Sequence, residues 1–303
     1  MPSSFLLSRR RAVSALLSIA VLPLAARAGT ITDSTGQPVT ATGVERIVSI
    51  GSSVTEIIVD LGAAKKIVAL DTTSVAVPGA EGLPDIGYLR TLSAEGVLSQ
   101  SPQLICATTE AGPPGVIDAL KQSGIPFAII PHVPTVEGIL GKIALIGKLL
   151  DAEKEAATLA ADVRQRASTL QERVAKFTGA RPKALFILSL ADGRLLAGGA
   201  DTGAASVITM AGGENVAASI SGYKPLSTEF LLENPPDAVI MMGGMGLAPK
   251  ADEVFKTPAL ALSPAARHKA LRVFDGAALL GFGPRTIAQA EELADFLHRG
   301  NPT

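Results

Sequence analysis

The amino-acid sequence predicts an α/β protein made of two similar lobes with parallel central sheets, joined by one long rigid helix, with a ligand cleft between the lobes. Three observations support this fold class. Short apolar runs alternate with helical segments, as in parallel sheets. A single long amphipathic stretch separates two such series, and a short sequence element recurs on both sides of it. The 303 residues also suffice for two ordinary domains.

Residues 1–28 have the features of an export signal. Three arginines at positions 9–11 precede an apolar run over 12–24, and Ala26-Arg27-Ala28 supplies the small residues of a cleavage site. The apolar run is too short to cross a bilayer. We therefore expect cleavage near Ala28, after export by the general secretory or the twin-arginine route, and a periplasmic location. No cysteine stands near this point, so no lipid anchor is expected.

Charge and cysteine content argue against several function classes. The predicted leader contains four arginines and no acid, which leaves 23 basic and 28 acidic residues in the rest of the chain. This acidic balance does not favour a nucleic-acid partner. The only cysteine, Cys106, lies in the apolar run 104–107 and is expected to be a buried, inert thiol. One cysteine forms no internal disulfide and no cysteine-based metal site.

The first lobe is predicted over residues 29–150. Its strands are expected where short apolar runs end in turn residues, at 47–50, 67–70, 104–107 and 127–130. Helical stretches follow these runs, which favours parallel strand pairing.

One long helix is predicted within residues 151–178. Between Ala156 and Phe177 apolar residues recur at every third or fourth position, with charged residues on the other side. This spacing is typical of one face of a helix. The second lobe is predicted over 179–303, with apolar runs at 184–188, 207–210, 239–242 and 271–274 continuing the strand series.

An internal repeat relates the two lobes. Residues 93–98, which lead through a proline into the run at 104, match residues 227–232, which lead through a proline into the run at 238. The matched positions are 134 residues apart. Gly87-Tyr88 and Gly222-Tyr223 also match if one residue is skipped. Two copies of one element suggest two lobes that face each other across a cleft.

With these motifs the chain resembles the solute-binding proteins of cobalamin, siderophore and haem importers. Arg46-Ile47-Val48-Ser49, Ala211-Gly212-Gly213-Glu214-Asn215 and the two repeat glutamates carry the resemblance, which extends from about residue 46 to the end. Residues 83–96 are similar to the haem-binding subgroup. The resemblance implies a monomeric carrier without enzymatic activity. It would capture haem b as its transported ligand and deliver it to an inner-membrane ABC permease dimer with a cytoplasmic ATPase.

Tyr88 is the candidate axial ligand of the haem iron. Ferric iron favours an anionic oxygen donor such as a tyrosine phenolate. The unperturbed pKa of a phenol is about 10, so iron or a nearby cation must help remove the proton. Arg90, two residues further on, lies on the same face if the segment is extended, and the haem-binding relatives are thought to use an arginine there. The competing interpretation is a tyrosine whose ring packs at a cleft rim.

The second axial position is left open between Tyr223, His132 and no ligand. The repeat places Tyr223 opposite Tyr88, and Lys224 beside it could pair with a propionate. His132 follows a first-lobe strand and could reach the cleft. Otherwise His132 is expected at the surface, together with His268 and His298.

Four further residues are predicted to bind the ligand. Ser52 and Ser53 follow Gly51 at the end of the first strand and could form a turn that lines the cleft. Met245, with Met241 and Met242, could form an apolar wall for a porphyrin, although methionine more often fills core gaps. Arg285 is a candidate for pairing with an anionic ligand, as is Arg194.

Glu95 and Glu229 are predicted to dock the protein onto its permease. They occupy equivalent positions in the repeat. In the family that the chain resembles, one glutamate near the tip of each lobe contacts arginines of the permease.

Two other functions are kept as alternatives. A ferric-siderophore or cobalamin carrier would belong to the same superfamily, but the tryptophans of cobalamin sites are absent and few arginines are available for a siderophore. A periplasmic metal-dependent enzyme would need clustered histidines and carboxylates, whereas the three histidines are scattered. The number of haems bound is also left open.

Overall fold

The computed structural model describes residues 29–191, 194–243 and 250–299. The predicted export signal and Met245 lie outside these residues. The first described element is a hairpin whose two strands, β1 (Gly29–Thr32) and β2 (Pro38–Ala41), pair antiparallel. The turn of this hairpin is tied to the first lobe, because Asp33 Oδ2 accepts a hydrogen bond from the Ile129 backbone N–H at 3.3 Å.

The first lobe contains the parallel sheet that the apolar runs predict. Its strands stand in the order β4-β3-β5-β6, and each neighbouring pair is parallel. The strands are β3 (Ile47–Ile50), β4 (Ile67–Leu70), β5 (Leu104–Thr108) and β6 (Phe127–Ile130). The predicted strand positions are therefore confirmed in this lobe.

Helices connect these strands and cover the sheet. They are α1 (Ser52–Asp60), α2 (Ala94–Leu98), α3 (Pro114–Gln122) and α4 (Val136–Leu149). Short 3₁₀ turns occur at Ala64–Lys66 and Thr72–Ser74. Ser93 and Thr135 begin α2 and α4 by accepting a hydrogen bond from a backbone N–H of the first turn, which satisfies an otherwise unpaired donor.

The long helix α5 (Glu153–Ala175) occupies the segment where one long helix is predicted. Its buried residues Ala156, Val163 and Leu170 recur at seven-residue spacing on one side. The helix packs against α4 and against α11 (Arg285–Leu297) of the second lobe. Arg166 forms a 2.7 Å ion pair with Glu291, so charged groups add to this contact.

The second lobe contains a mixed sheet. Its strands stand in the order β10-β8-β7-β11-β12, and β9 also pairs with β7. The strands are β7 (Lys183–Ala191), β8 (Arg194–Gly198), β9 (Glu214–Asn215), β10 (Tyr223–Leu226), β11 (Ala238–Gly243) and β12 (Leu271–Asp275). Strands β7, β11 and β12 form the predicted parallel core, whereas β8 and β10 pair antiparallel.

The remaining helices belong to the second lobe. They are α6 (Gly203–Met210), α7 (Thr228–Glu233), α8 (Ala251–Val254), α9 (Pro264–Arg267) and α10 (Gly276–Leu280), ahead of α11. Among the described helices, none is both long and apolar enough to cross a membrane.

The strand expected at 207–210 is wrong, because these residues end α6. Thr202 begins this helix by accepting a hydrogen bond from the Ala205 backbone N–H at 3.1 Å. A four-residue apolar run has the same appearance in a buried helix and a buried strand, so the cap decides between the two structures.

The two copies of the sequence repeat have the same conformation. Helices α2 and α7 begin 134 residues apart, and so do strands β5 and β11. Ser93 and Ser227 cap the two helices in the same way. Gly87 and Gly222 both have a left-handed backbone, with φ values of 95° and 74°. The repeat is therefore structural as well as sequential.

His298 is buried, which corrects its prediction as a surface residue. Its ring stacks on Phe177 with 3.7 Å between the ring centroids, and its Nε2 lies 3.2 Å from the carbonyl oxygen of Ala211. The polar residues after His298 suggested exposure, but the apolar face of α11 brings the histidine against the end of α5. Burial of Cys106 is confirmed, and it raises the pKa of the thiol to about 12.

The crossing of α4 and α5 requires a glycine at position 147. A Cβ atom at Gly147 would lie 2.3 Å from the Ala156 Cβ, much closer than a van der Waals contact. At Gly141, six residues earlier in α4, a Cβ atom would have no other atom within 4 Å apart from the helix's own backbone.

The same substitution should therefore have opposite effects at these two sites. We expect Gly147→Ala to lower the free energy of unfolding by about 1–3 kcal/mol through overpacking. Gly141→Ala should raise it by up to about 1 kcal/mol through helix propensity. Urea unfolding of both variants measures the difference, and stabilisation by both would show that α4 and α5 are not in tight contact.

Candidate ligand-binding site

Four polar side chains of the first lobe form one connected group, called here the first-lobe cluster: Tyr88, Arg90, Glu110 and His132. Arg90 Nη1 donates to the Tyr88 hydroxyl at 3.4 Å, and Arg90 Nη2 lies 2.5 Å from Glu110 Oε1. His132 Nδ1 lies 3.5 Å from the other oxygen of Glu110. The structure thus brings Tyr88 and Arg90 together, as the sequence predicts, and adds Glu110 and His132.

The backbone explains why these side chains meet. Glu110 and His132 follow β5 and β6, whose carboxyl ends lie at the same edge of the sheet, where ligands bind in many parallel α/β proteins. The His132 backbone N–H donates to Thr109 Oγ1 at 3.1 Å, which joins the two loops. Tyr88 lies in a turn closed by the Thr91 N–H donating to the Tyr88 carbonyl at 2.8 Å. Buried Leu89 anchors this turn.

The charges of the cluster affect one another. Burial alone would lower the pKa of Arg90, but Glu110 and Tyr88 raise it above its ordinary value. Burial lowers the pKa of His132, and the cations Lys142 and Arg90 lower it further against the opposing effect of Glu110. These effects favour the neutral imidazole of His132, while Arg90 remains a cation.

Tyr223 is the corresponding tyrosine of the second lobe, and charged groups of the first-lobe cluster affect its pKa. Burial raises its pKa, Glu110 raises it further, and Arg90 lowers it. The Tyr223 ring packs against Gly198 of its own lobe, where a Cβ atom would lie 3.2 Å from Tyr223 Cε1. About 38% of Tyr223 and 37% of Tyr88 is exposed, so both rings are accessible to a ligand.

The other predicted ligand-binding residues differ in exposure to solvent. Lys224 is exposed and follows Tyr223 in β10, so the alternation of strand side chains places it on the other face. Met241 is buried and Met242 is half-buried in β11. Arg194 is exposed at the start of β8.

Ser52 and Ser53 lie where the two lobes meet. We call this contact the interlobe seam, which comprises Ser52, Ser53, Glu56 and Lys142 of the first lobe and residues 277–285 of the second. Ser52 Oγ donates to the Ala277 carbonyl at 3.3 Å. The Lys142 amine donates to Ser53 Oγ and to the Gly281 carbonyl, both at 2.9 Å. Both serine hydroxyls are therefore engaged within the protein, rather than lining an open cleft as expected.

Arg285 also belongs to the seam. Its backbone N–H donates to Glu56 Oε1, and its Nε lies 3.4 Å from Glu56 Oε2. Its Nη1 contacts Asp275 at 3.2 Å. Arg285 is thus paired with two carboxylates, a different environment from that of a group available to an anionic ligand.

Sequence reasoning missed Glu56, Glu110 and Lys142. Lys142 is 1% exposed on the buried face of α4, where it shares helical spacing with Ile139 and Ile146. A lysine on an apolar face was the available signal for a special role. Glu110 lies two residues after the end of β5, so the rule that ligands bind at strand carboxyl ends could have identified it. The described ranges contain no group of three or more histidine, cysteine or acidic residues suited to a metal ion.

Glu95 and Glu229 are both exposed, each in the first turn of its helix. The pKa of Glu229 is lowered by its own backbone N–H and by the Ser227 hydroxyl, so this carboxylate is ionised at neutral pH. The structure thus presents two acidic groups at equivalent positions of the two lobes.

A protein-family model described as "Periplasmic binding protein" matches residues 47–278. An uncharacterised ABC transporter substrate-binding lipoprotein of Bacillus subtilis is 26% identical over 89% of this chain and 85% of its own length. A vitamin B12-binding protein of Yersinia pestis is 27% identical over 67% of this chain and 71% of its own length.

Two solved structures extend the comparison. The periplasmic haem-binding protein RhuT of Roseiflexus sp. RS-1, in its apo form, has a TM-score of 0.80 and 33% identity, and the match covers 85% of this chain and 99% of that one. The periplasmic haem-binding protein HutB of Vibrio cholerae has a TM-score of 0.76 and 36% identity, with 84% and 100% covered. The predicted two-lobed α/β fold is thereby confirmed.

Glu56 generates a testable dependence of stability on pH. Burial raises the pKa of Glu56 to about 7. The nearby charge of Asp60 also raises this pKa, whereas Arg285 lowers it. The folded state then binds a proton more tightly than the unfolded state, so stability should fall as pH rises from about 4.5 to about 7. Since one pKa unit corresponds to about 1.4 kcal/mol, we expect a fall on the order of 2 kcal/mol between pH 5 and 7.5. Urea unfolding across this range measures it.

Glu56→Gln should reduce this fall, because glutamine does not titrate. Glu155→Gln, at an exposed position on α5, is the matched control and should keep the slope of the unchanged protein. Equal slopes in all three proteins would contradict the raised pKa of Glu56.

Proposed function

Because this chain belongs to the periplasmic binding protein family, we propose that it captures haem between its lobes and delivers it to an ABC permease. The observation that carries the proposal is the placement of the Arg90 guanidinium 3.4 Å from the Tyr88 hydroxyl in an accessible turn. Identities of 33% and 36% to proteins named as haem-binding support the choice of cargo. Haem is here the transported ligand.

The proposed chemistry of capture is ligation of ferric iron by the Tyr88 oxygen. A phenol resists ionisation at neutral pH, so a fixed cation beside it favours the phenolate. Arg90 can serve in this way because Glu110 holds the opposite side of its guanidinium. Glu110 also neutralises part of the positive charge of Arg90, so it weakens the effect of Arg90 on the pKa of the Tyr88 phenol.

Tyr223 has a different proposed role. Burial raises its pKa, so without iron its hydroxyl stays protonated at neutral pH. It can therefore pack against the porphyrin or donate a hydrogen bond while Tyr88 supplies the anionic oxygen. Lys224 points to the other face of β10, but β10 is the edge strand of its sheet, so the long exposed side chain is proposed to reach a propionate around that edge.

We extend the proposal to location and delivery. The chain is proposed to act in the periplasm after removal of the first 28 residues, as a monomer. Glu95 and Glu229 are proposed to contact arginines of the permease, one from each lobe. Their exposure and their equivalent positions in the structural repeat support this role.

Cobalamin is the second candidate cargo. The 27% identity to a vitamin B12-binding protein favours it. A cobalamin carrier would have no need of a phenolate next to a guanidinium, since ferric iron is the ion that this donor suits. Titration with cyanocobalamin alongside hemin separates the two candidates.

Hemin titration of the Tyr88→Phe variant tests the proposed ligand. We expect the unchanged protein to give the absorbance spectrum of a high-spin ferric tyrosinate, because the phenolate binds iron directly. Tyr88→Phe removes this oxygen and keeps the ring, so the spectrum should disappear and Kd should rise at least about tenfold.

Tyr223→Phe is the matched control, because it makes the same change on the other lobe. It should keep the tyrosinate spectrum with a smaller loss of affinity. An unchanged spectrum in Tyr88→Phe would reject this ligand, and binding of cyanocobalamin but not hemin would reject haem as the cargo.

Charge reversal tests the docking glutamates. The ABC permease of the same organism, reconstituted in liposomes with its ATPase, should hydrolyse ATP faster when the loaded protein is added. Glu95→Lys and Glu229→Lys place like charges against arginines, so each should reduce this stimulation about tenfold or more. Glu155→Lys makes the same charge change on α5 and should have little effect, whereas equal losses in all three would indicate a general effect of charge.

A further inference from the structure

Phe282 lies in the interlobe seam, next to His132 of the first-lobe cluster. We propose that Phe282 is a positioning residue, held by Lys142 and Glu56, that sets the separation of Tyr88 and Tyr223 and so the width available to the ligand. The claim about the width available to the ligand rests on the proposed function. The claim about the separation of the tyrosines does not, because it concerns the protein without ligand.

One side of Phe282 contacts the first-lobe cluster. Its ring meets the His132 ring edge-on, with 5.9 Å between the centroids and an interplanar angle of 89°. His132 adjoins Glu110, which adjoins Arg90, and Arg90 donates to Tyr88. A continuous series of contacts thus runs from Phe282 to the proposed iron ligand.

The other side of Phe282 contacts the start of α6. A Cβ atom at Gly203 would lie 2.9 Å from Phe282 Cε2, so the ring packs directly on this backbone. Ala204 follows Gly203 directly, and a Cβ atom at Gly198 would lie 2.7 Å from the Ala204 Cβ and 3.2 Å from Tyr223 Cε1, so Ala204 and the Tyr223 ring meet at Gly198. The series of contacts therefore continues from Phe282 to the second tyrosine.

The residues on either side of Phe282, Gly281 and Gly283, both contact the first lobe. The Gly281 carbonyl accepts a hydrogen bond from the Lys142 amine at 2.9 Å. Gly283 lies so close to Glu56 that a Cβ atom there would be 2.7 Å from Glu56 Oε2. Each anchor belongs to the first lobe, whereas Phe282 belongs to the second.

The backbone of Phe282 indicates a constrained position. Its φ of 51° is in the left-handed region, which is unfavourable for a residue with a large side chain. Its side chain is nevertheless fully buried, with 0% exposure. Such a conformation persists where the surroundings over-determine it, and residues of this kind concentrate at functional sites.

This arrangement explains how the cleft keeps a defined width. The two tyrosines belong to different lobes, so no contact within one lobe can fix the distance between them. A buried ring between His132 and α6 opposes a closer approach of the two lobes at this point, since packed interiors resist compression. The hydrogen bond from Lys142 and the contact of Glu56 oppose opening at the same place.

The test measures the distance between the lobes in ligand-free protein. Spin labels are attached to Ser99→Cys and Glu233→Cys, two exposed positions that correspond in the repeat. The native Cys106 is fully buried and does not compete for the label. Double electron–electron resonance then gives the distance distribution for the unchanged seam and for Phe282→Ala, Lys142→Met and Phe127→Ala.

Phe282→Ala and Lys142→Met should each broaden or shift the distance distribution. Phe127→Ala is the matched control, because it removes a buried ring from β6 within the first lobe and should leave the distribution unchanged. Lys142→Met keeps the volume of the side chain while it removes the amine, so it serves if Phe282→Ala does not fold.

A second readout follows hemin transfer to apomyoglobin. We expect the two seam variants to release hemin about tenfold faster while the tyrosinate spectrum is retained, because Tyr88 itself is intact. Unchanged distances in both seam variants, or an equal change in Phe127→Ala, would overturn the proposal. Failure of every protein to bind hemin would count against haem capture only, since the distances are measured without ligand.

Discussion

Buried polar groups between the two lobes constrain the rest of this structure. The Lys142 amine and the Glu56 carboxylate are almost fully buried, and each meets the backbone of the second lobe. A charged group in such surroundings is stable only when its partners are correctly placed. Apolar surfaces tolerate sliding, whereas directed hydrogen bonds hold one arrangement. The relative placement of the lobes, and therefore the shape of the cleft, depends on these bonds.

Much of the fold could be predicted from the sequence because buried parallel strands are continuous apolar runs. The strands at 47–50 and 104–107 are of this kind, and α5 has an amphipathic pattern long enough to identify a helix. The antiparallel strands β8 and β10 were not predicted, and β10 (Tyr223–Leu226) shows why: it is an exposed edge strand without an apolar run. The run at 207–210 shows the limit of short apolar patterns, because tertiary context decides between helix and strand.

The candidate site was most predictable where its residues are neighbours in the chain or matched in the repeat. Tyr88 and Arg90 lie two residues apart, so local geometry is sufficient to pair them. Glu110 and His132 follow strand ends, which marks them as candidates, but their contact with Arg90 and with each other depends on β5 and β6 being neighbours in the sheet. The contact between Glu56 and Arg285 spans 229 positions and depends on how complete lobes pack. Sequence patterns therefore identified the phenol and the guanidinium but not the groups that hold them.

The burial of Cys106 has a consequence for maturation. Its sulfur lies in the centre of the first sheet, and the pKa of about 12 leaves almost no thiolate at neutral pH. Thiolate is the reactive form in disulfide exchange, so the folded chain is protected from oxidants and from covalent dimerisation. Only a chain with an unfolded first lobe exposes this sulfur. A mixed disulfide at Cys106 would therefore mark molecules that failed to fold in an oxidising compartment.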